Sequence, residues 1–141
     1  MNPEVWGPHY WFFLFTISMN YPQRPNTVTK KKYYEFIQNF PLFIPSEKMG
    51  NNFAKLLDKY PVTPYLDSRM EFMKWVHFIH NKVNEHLDKQ EIGFYDALEL
   101  YYKHYEPKDI VEKKRARLRR RNIDISILVI MSLLVIYCIK K

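Results

Sequence analysis

Residues 75–89 of the chain read WVHFIHNKVNEHLDK, and this stretch decides the fold. Apolar residues recur in it at the three- and four-residue spacing of an amphipathic helix, which we predict to begin near Met70. The predicted apolar face consists of Phe72, Val76, Ile79, Val83 and Leu87. A helix with such a face must bury it against other elements, so the sequence predicts a helical domain built around this stretch.

A second arc of the same helix carries uncharged polar side chains: His77, His80, Asn81 and Asn84. Imidazoles and carboxamides at the edge of a core need hydrogen-bond partners once they are buried. Those partners are either groups on neighbouring helices or a bound ligand. The pattern by itself leaves both interpretations open.

The composition fits a small helical protein. The chain has 141 residues, of which 47% are apolar, and this is enough for one domain with a sizeable core. It contains 3 glycines but 9 prolines, which favours helices separated by sharp breaks over a sheet with glycine turns. The single cysteine, Cys138, excludes a disulfide within the monomer and a thiolate metal cluster.

Helix start and stop signals divide the first 106 residues into five predicted helices. These are residues 3–20, 27–40, 47–59, 68–88 and 94–105. Asn2, Ser46 and Ser68 (or Asp67) have side chains that commonly cap helix N-termini. Short connections between the helices indicate an all-α fold, an antiparallel four-helix bundle plus a short fifth helix over residues 1–106.

Each predicted helix has an apolar stripe that should face the core. The first helix has two, namely Trp6, Tyr10, Phe13, Leu14, Ile17 and Tyr21 on one face, and Trp11 and Phe15 on another. The later stripes are Tyr33, Phe36, Ile37 and Phe40, then Phe53, Leu56 and Leu57, and finally Tyr95, Leu98 and Tyr102. A helix that is apolar on two faces is buried on two faces, so the first helix should also contact a ligand, a second subunit or an outer helix.

The C-terminal segment concentrates the basic charge. Residues 1–112 carry 13 basic and 14 acidic side chains, whereas residues 113–141 carry 9 basic and 1 acidic. Residues 113–121 read KKRARLRRR, from Lys113 to Arg121, and residues 125–139 contain no charge. We predict a basic linker over residues 107–122 and a C-terminal transmembrane helix, a membrane anchor, over residues 123–139.

The basic stretch should then contact anionic lipid headgroups on the cytoplasmic side of a membrane, which places the bundle on that side too. A buried core helix is the alternative interpretation of the apolar segment. A nuclear-localisation or nucleic-acid patch is the alternative for the basic stretch. Its position beside an apolar segment favours lipid, and we predict no specific nucleic-acid partner.

Several motifs together resemble the Erv/ALR-type FAD-dependent sulfhydryl oxidases. They are WGPHYW at residues 6–11, Tyr21-Pro22, Arg69, and HNKVNEHLDK at residues 80–89, which matches the pattern HNxVNxxLxK. The resemblance covers about residues 5–105, and the HNxVNxxLxK element is its specific part. It implies a small helical bundle that binds FAD and commonly pairs. The implied cofactor contacts are Trp6, Trp11, His80, Asn81, Asn84 and Lys89.

The chain also departs from this family at positions that carry its chemistry. Family members have a Cys-x-x-Cys just after a proline at the start of the third helix, where Ser46 and Met49 stand here. Neither residue can form a disulfide, and Ser46 has a sufficient role as a helix cap. The family also places a histidine four residues after the second tryptophan of its first motif, where this chain has Phe15. We therefore predict no catalytic residues and a degenerate site at Phe15, Ser46 and Met49.

Two functions follow from this comparison. The first is a membrane-anchored, non-catalytic structural or interaction module, related to virus-encoded members, in the manner of a minor capsid protein that links a virion membrane to its shell. Its protein partners would be a second copy or a capsid-type assembly. The second is a homologue that retains FAD and acts on thiols supplied by a partner. A metal site built from His77, His80 and His86 lacks a further ligand type, so no metal is predicted.

Overall fold

The computed structural model describes residues 1–139, and the regular structure of these residues is helical throughout. Its α-helices are α1 Pro3–Met19, α2 Thr27–Asn39, α3 Glu47–Lys59, α4 Arg69–His86, α5 Phe94–Lys103 and α6 Lys108–Ile139. Short 3₁₀ turns at Phe40–Phe43 and Thr63–Tyr65 follow α2 and α3. The prediction of an all-α fold is confirmed, and the first five helices begin and end within two residues of their predicted limits.

The helix starts agree with the predictions because the predicted caps form. The side chain of Asn2 accepts a hydrogen bond from the backbone N–H of Glu4 at 3.0 Å. Ser68 accepts one from the N–H of Glu71 at 3.3 Å. These polar side chains satisfy N–H groups that have no partner inside the helix, and this fixes where each helix begins.

Residues 1–101 form one compact unit, in which α1 and α4 run antiparallel. Tyr21, just beyond the end of α1, packs on Phe72 near the start of α4, with ring centroids 5.1 Å apart. Phe15, earlier in α1, lies 5.9 Å from His80, later in α4. The most deeply buried side chains include Ser18, Tyr21, Ile37, Val62, Phe72, Val76 and Ile79.

The start of α4 is tied to the end of α1 by polar contacts as well. The Arg69 guanidinium donates from Nε to the backbone carbonyl of Tyr21 at 2.5 Å. The Tyr21 hydroxyl donates to the carbonyl of Leu66 at 2.8 Å. These two bonds hold the start of α4 beside the end of α1. They therefore determine which residues of α4 face α1.

The start of α3 is held against the 3₁₀ turn that precedes it. A Cβ atom built on Gly50 would lie 2.7 Å from the backbone carbonyl oxygen of Pro41. Only glycine permits this approach, since real Cβ contacts are essentially never that short. Gly50 is one turn into α3, so this contact also positions the first turn of the helix, where Ser46 and Met49 lie.

Two residues of the stripes predicted for α1 and α4 are exposed. Leu87 is 45% exposed because α4 ends at His86 and the chain turns away there. Phe13 is 50% exposed and meets only the edge of the bundle through Phe36, with ring centroids 6.2 Å apart. The stripes predicted for α2 and α3 are confirmed, since Ile37, Phe40, Phe53, Leu56 and Leu57 are all buried.

The predicted stripe of α5 is wrong by part of a turn. Tyr95 is 81% exposed and Tyr102 is 58% exposed, whereas Ala97 and Tyr101 are buried. The Tyr101 ring stacks on Phe12 with centroids 5.0 Å apart, and its hydroxyl lies 3.0 Å from the Thr16 hydroxyl. The small Ala97 side chain lets the helix approach its neighbours, so packing rather than ring size decides which face turns inward.

The second unit begins at residue 102 and contains α6. The stretch predicted as a linker, residues 107–122, is helical from Lys108 onward, because lysine, arginine, alanine and leucine are strong helix formers and no proline or glycine follows Pro107 there. Among the described residues, no helix is both long and apolar enough to cross a membrane. The predicted anchor over residues 123–139 therefore gains no support from the structure.

Candidate functional site

An aromatic cluster between α1 and α4 contains two of the predicted site residues and the degenerate position Phe15. The rings of Trp11 and His80 lie 4.5 Å apart with planes tilted by 41°. Phe15 meets the same imidazole edge to face at 5.9 Å and 84°. Trp11 also contacts Phe53 of α3, with centroids 6.2 Å apart. The imidazole of His80 is therefore enclosed by apolar rings from the first helix.

His80 is the chemically unusual member of this cluster. Its Nδ1 atom is buried and has no hydrogen-bond partner among the described residues. Burial, together with the nearby charges of His77 and Lys89, lowers the pKa of His80 from 6.5 to about 4. The ring is therefore neutral at neutral pH, and its buried nitrogen offers a hydrogen-bonding position that the protein does not use.

Trp6 provides a second buried nitrogen of the same kind. Its Nε1 is buried and finds no hydrogen-bond acceptor within residues 1–139. The ring packs edge to face on Tyr10 at 5.2 Å, and the Tyr10 hydroxyl donates to the carbonyl of Phe43 at 2.8 Å. A buried donor without an acceptor is costly, so this atom too is poised for a group that the polypeptide does not provide.

Asn81 has a different role in the structure. Its Nδ2 donates to the carbonyl of Ile92 at 2.9 Å, and the Ile92 N–H donates back to Oδ1 at 3.1 Å. The Nε2–H of His77 donates to the same carbonyl at 2.7 Å. Both side chains thus fasten the segment between α4 and α5 to α4. The amide atoms of Asn81 and the Nε2 of His77 are thus occupied by the protein.

Asn84 and Lys89 lie at the end of α4. Asn84 is buried, and its backbone carbonyl accepts from the N–H of Leu87 at 3.0 Å and from that of Lys89 at 2.9 Å. Asp88 has a positive φ of 53°, so the helix ends in a left-handed residue. This ending places Lys89 so that its charge contributes to the low pKa of His80. The cofactor roles implied for Asn81, Asn84 and Lys89 remain predictions.

Ser46 and Met49 occupy the first turn of α3. The Ser46 hydroxyl accepts a hydrogen bond from the backbone N–H of Met49 at 3.4 Å, which confirms its predicted role as the cap of α3. A hydroxyl and a thioether cannot exchange electrons as a dithiol does. As for metals, the described residues contain no cluster of histidine, cysteine, aspartate or glutamate suited to a metal ion.

Some residues of this region were not found from the sequence. The Ile92 backbone is a partner of the polar arc, and Tyr101 of α5 packs on α1 beside it. No local pattern in the sequence marks a backbone carbonyl 11 residues away as a hydrogen-bond acceptor. The buried Trp75, whose indole donates to the Tyr60 carbonyl at 3.1 Å, was part of the opening stretch but not of the predicted apolar face.

Comparison with known proteins identifies this helical bundle. The model of the Erv1 / Alr family matches residues 8–106. A probable FAD-linked sulfhydryl oxidase of Acanthamoeba polyphaga mimivirus is 36% identical over 109 residues, which cover 77% of this chain and 76% of that protein. An FAD-linked sulfhydryl oxidase of African swine fever virus is 28% identical over 96 residues, covering 68% of this chain and 79% of that protein.

Solved structures agree with these relatives. The crystal structure of the FAD binding domain of Erv1 from Saccharomyces cerevisiae superimposes with a TM-score of 0.64 at 25% identity, covering 75% of this chain and 95% of that one. The chain therefore has the helical-bundle fold of that domain. The chain belongs to the Erv1 / Alr family, and the resemblance inferred from its motifs is confirmed. Of two yeast relatives the chain spans 46% and 47% of the length.

Proposed function

We propose that this chain binds FAD between α1 and α4 but lacks a redox disulfide of its own, and that it serves as a flavin-holding structural or interaction module. The family contains proteins named as FAD-linked sulfhydryl oxidases. A fold can outlast its chemistry, because the residues that form the core are distinct from those that react.

The single observation that carries the proposal is the pair of unsatisfied nitrogens, Trp6 Nε1 and His80 Nδ1. Native proteins rarely leave a buried polar atom without a partner unless a ligand or water satisfies it. Both atoms belong to residues for which the family resemblance implies a cofactor contact. Neither has been replaced by an apolar residue, which would have removed the cost of leaving it unpaired.

The surrounding residues suit a flavin. Trp11 and Phe15 offer flat apolar walls, and the neutral imidazole of His80 adds a polar atom without a charge. The exposed ammonium of Lys89 suits the negative pyrophosphate of a dinucleotide. When bound, FAD would supply a two-electron acceptor. The protein residues hold it, shield its ring from water and fix its orientation.

The proposed absence of thiol chemistry rests on the composition of the chain. The chain has one cysteine, Cys138, and Ser46 and Met49 stand where the family carries its cysteines. In the family a thiolate at this helix N-terminus is stabilised by the helix dipole and delivers electrons to the flavin. A serine and a methionine provide no such electrons. We propose that the chain cannot oxidise thiols by this route.

Flavin content of the full-chain protein tests the proposal. We expect the purified chain to take up FAD with quenching of flavin fluorescence, and His80→Ala to weaken that binding about tenfold through loss of the ring contact and the polar atom. His86→Ala is the matched control, because His86 is exposed on the same helix and bonds only to the Lys82 carbonyl. A chain that takes up no FAD overturns the proposal.

A second candidate function is an oxidase that uses a dithiol delivered by a partner chain. The preserved polar atoms at Trp6 and His80 support it equally, because an oxidase must hold the same flavin. Oxygen consumption with dithiothreitol, compared with free FAD at equal concentration, separates the two candidates. Turnover clearly above free FAD supports the oxidase, and no excess turnover supports the flavin-holding module.

For the C-terminal segment we propose contact with anionic lipid headgroups through residues 113–121, followed by membrane anchoring through residues 123–139. The dense basic charge and the uncharged run that follows it support this proposal. A virion setting is supported by the viral relatives. Flotation with anionic and neutral vesicles, with and without residues 122–141, tests it. Retention on neutral vesicles after that deletion would contradict the anchor, since only the basic stretch would remain and it needs anionic lipid.

A further inference from the structure

A cleft of about 240 Å³ lies between α3 and the last turns of α4. Leu56 and Tyr60 line it with apolar surface, and charged side chains of both helices complete it. The residues that surround it include none of those predicted to contact FAD. It is therefore separate from the aromatic cluster at Trp11 and His80.

The cleft holds an excess of positive charge. Lys55 and Lys59 lie one turn apart on α3, and neither forms an ion pair with any residue that the structure describes. Like charges at this spacing repel and destabilise a helix. The ammonium of Lys59 lies 5.2 Å from the centroid of the Tyr60 ring, which leaves its remaining surface free for an anion. Among the described residues, the two lysines thus lie side by side without an ion-pair partner within reach.

The α4 side of the cleft adds a third lysine. Lys82 is the partner of Glu85 at 2.7 Å, and the side chain of Lys82 is only 25% exposed. The hydrogen bond from Lys82, and the charges of Lys82 and Lys59 among others, lower the pKa of Glu85. Lysines from both helices therefore act on the same carboxylate. One carboxylate cannot neutralise three ammonium groups.

His86 completes the polar wall. Its Nδ1–H donates to the backbone carbonyl of Lys82 at 2.7 Å, which fixes the ring and leaves Nε2 without a partner in the described part of the chain. In the protonated ring Nε2 is a further donor. The wall thus presents donors from both helices to the same space.

We infer that this cleft binds the phosphoryl group of a small anion, either free phosphate or the terminal phosphate of a nucleotide. Lysine ammonium groups bind phosphate as point charges and do not need the planar geometry that arginine imposes. The volume of about 240 Å³ lies below the range of about 300–1,000 Å³ that drug-sized ligands occupy, so the cleft suits a phosphoryl group rather than an enclosed dinucleotide. The inference stands independently of FAD binding at the other site.

Two-dimensional NMR of the full-chain protein at constant ionic strength tests the inference, with inorganic phosphate, pyrophosphate and ADP as separate probes. Residue-specific signals are needed because residues 113–121 will also attract anions. We expect saturable shifts in the amides of residues 52–60 and 82–86. Saturation by inorganic phosphate at lower concentration than by ADP identifies free phosphate as the ligand, and the reverse order identifies a nucleotide.

Charge variants make the test specific. Lys59→Gln should weaken binding about tenfold, whereas Lys74→Gln, an exposed lysine on α4 outside the cleft, should leave it unchanged. Glu85→Gln should tighten binding, because it releases Lys82 and removes the only carboxylate lining the cleft. Shifts that do not saturate, or equal losses in Lys59→Gln and Lys74→Gln, overturn the inference.

Discussion

The carboxamide of Asn81 holds both polar groups of the Ile92 backbone, donating to the carbonyl at 2.9 Å and accepting from the N–H at 3.1 Å. The segment that contains Ile92 is irregular, so its backbone groups have no partners from secondary structure, and the Asn81 side chain supplies them instead. It fastens the connection between α4 and α5 to the middle of α4. A residue implied by family resemblance to be a cofactor contact thus has a structural task in this chain.

Asn81→Ala should lower the free energy of unfolding by about 1–2 kcal/mol, because it leaves the Ile92 N–H without a partner and leaves the Ile92 carbonyl with His77 as its donor. The loss should be the same with and without FAD. Urea denaturation of both forms measures it. Asn51→Ala, an exposed asparagine on α3, serves as the control. A loss seen only in the flavin-bound protein would assign Asn81 to the cofactor instead.

The stability of the cofactor-free protein should depend on the protonation of His80. Above pH 6.5 the imidazole is neutral in both folded and unfolded chains, so it contributes no pH dependence. In the folded chain the pKa of His80 is lowered to about 4. As the pH falls from 6.5 to about 4, His80 is therefore protonated in the unfolded chain while it stays neutral in the folded chain. Folding should lose about 3 kcal/mol over this window.

Urea denaturation at pH 7 and pH 4.5 checks this prediction for the native chain and for His80→Gln. In the native chain the free energy of unfolding should be lower at pH 4.5 than at pH 7. In His80→Gln this difference should be much smaller. His104→Gln, which changes an exposed histidine outside the aromatic cluster, should keep it. An unchanged pH dependence in His80→Gln would show that the imidazole is protonated equally in both states.

Asp88 should be replaceable with a gain in stability. It adopts a positive φ of 53° at the end of α4, a conformation that glycine reaches without strain. Asp88→Gly should raise the free energy of unfolding by about 0.5–1 kcal/mol. Asp88→Ala, which has a Cβ but no polar side chain, should lower it. Thermal denaturation of the two variants under one buffer condition distinguishes them by the sign of the change.

Gly50 and Gly7 should respond oppositely to the same substitution. Gly50→Ala introduces a Cβ 2.7 Å from the Pro41 carbonyl oxygen, so backbone must move, at a cost of about 1–3 kcal/mol. Gly7→Ala meets no atom within 4 Å in α1 and should stabilise the helix by about 1 kcal/mol. Equal effects in chemical denaturation would mean that α3 does not pack on the turn at Phe40–Phe43.

Restoring the cysteines tests the proposed loss of chemistry directly. The double change Ser46→Cys with Met49→Cys puts a Cys-x-x-Cys in the first turn of α3, where the helix dipole favours a thiolate. With FAD bound, this variant should oxidise dithiothreitol faster than the native chain. Ser46→Cys alone should not. Failure of the flavin-loaded double variant to turn over would indicate that Phe15 or other residues also block the reaction.

Much of the bundle was predictable because its signals are local. Caps such as Asn2, Ser46 and Ser68 mark helix starts, and the spacing of Phe72, Val76 and Ile79 marks a buried face. The inward face of α5 was not predictable, because the exposed Tyr95 and Tyr102 have the same side chain as the buried Tyr101. Which tyrosine turns inward depends on Phe12 and Thr16, far away in the chain.

The candidate site was predictable in part for the same reason. Polar residues on α4 could be recognised as a set, but their individual partners could not. His80 is surrounded by aromatic rings, and its Nδ1 has no partner among the described residues. The side chain of Asn81, by contrast, is bonded to the backbone of Ile92. The cationic cleft was missed because Lys55, Lys59 and Lys82 come from two helices. Lys55 and Lys59 are neighbours within α3, but Lys82 joins them only once α3 and α4 pack.

The helix α6 has an unusual energetic property. Its residues 113–121 place arginine and lysine four apart, as in Lys113 with Arg117 and Arg117 with Arg121, so that neighbouring side chains repel each other along the axis. Asp109 balances Lys113 through a 3.7 Å ion pair, and Glu106 balances Lys114 through a 2.9 Å ion pair, both at the start of the stretch. The helicity of this segment should therefore rise with counterion concentration, and circular dichroism of the segment at increasing salt would measure this change.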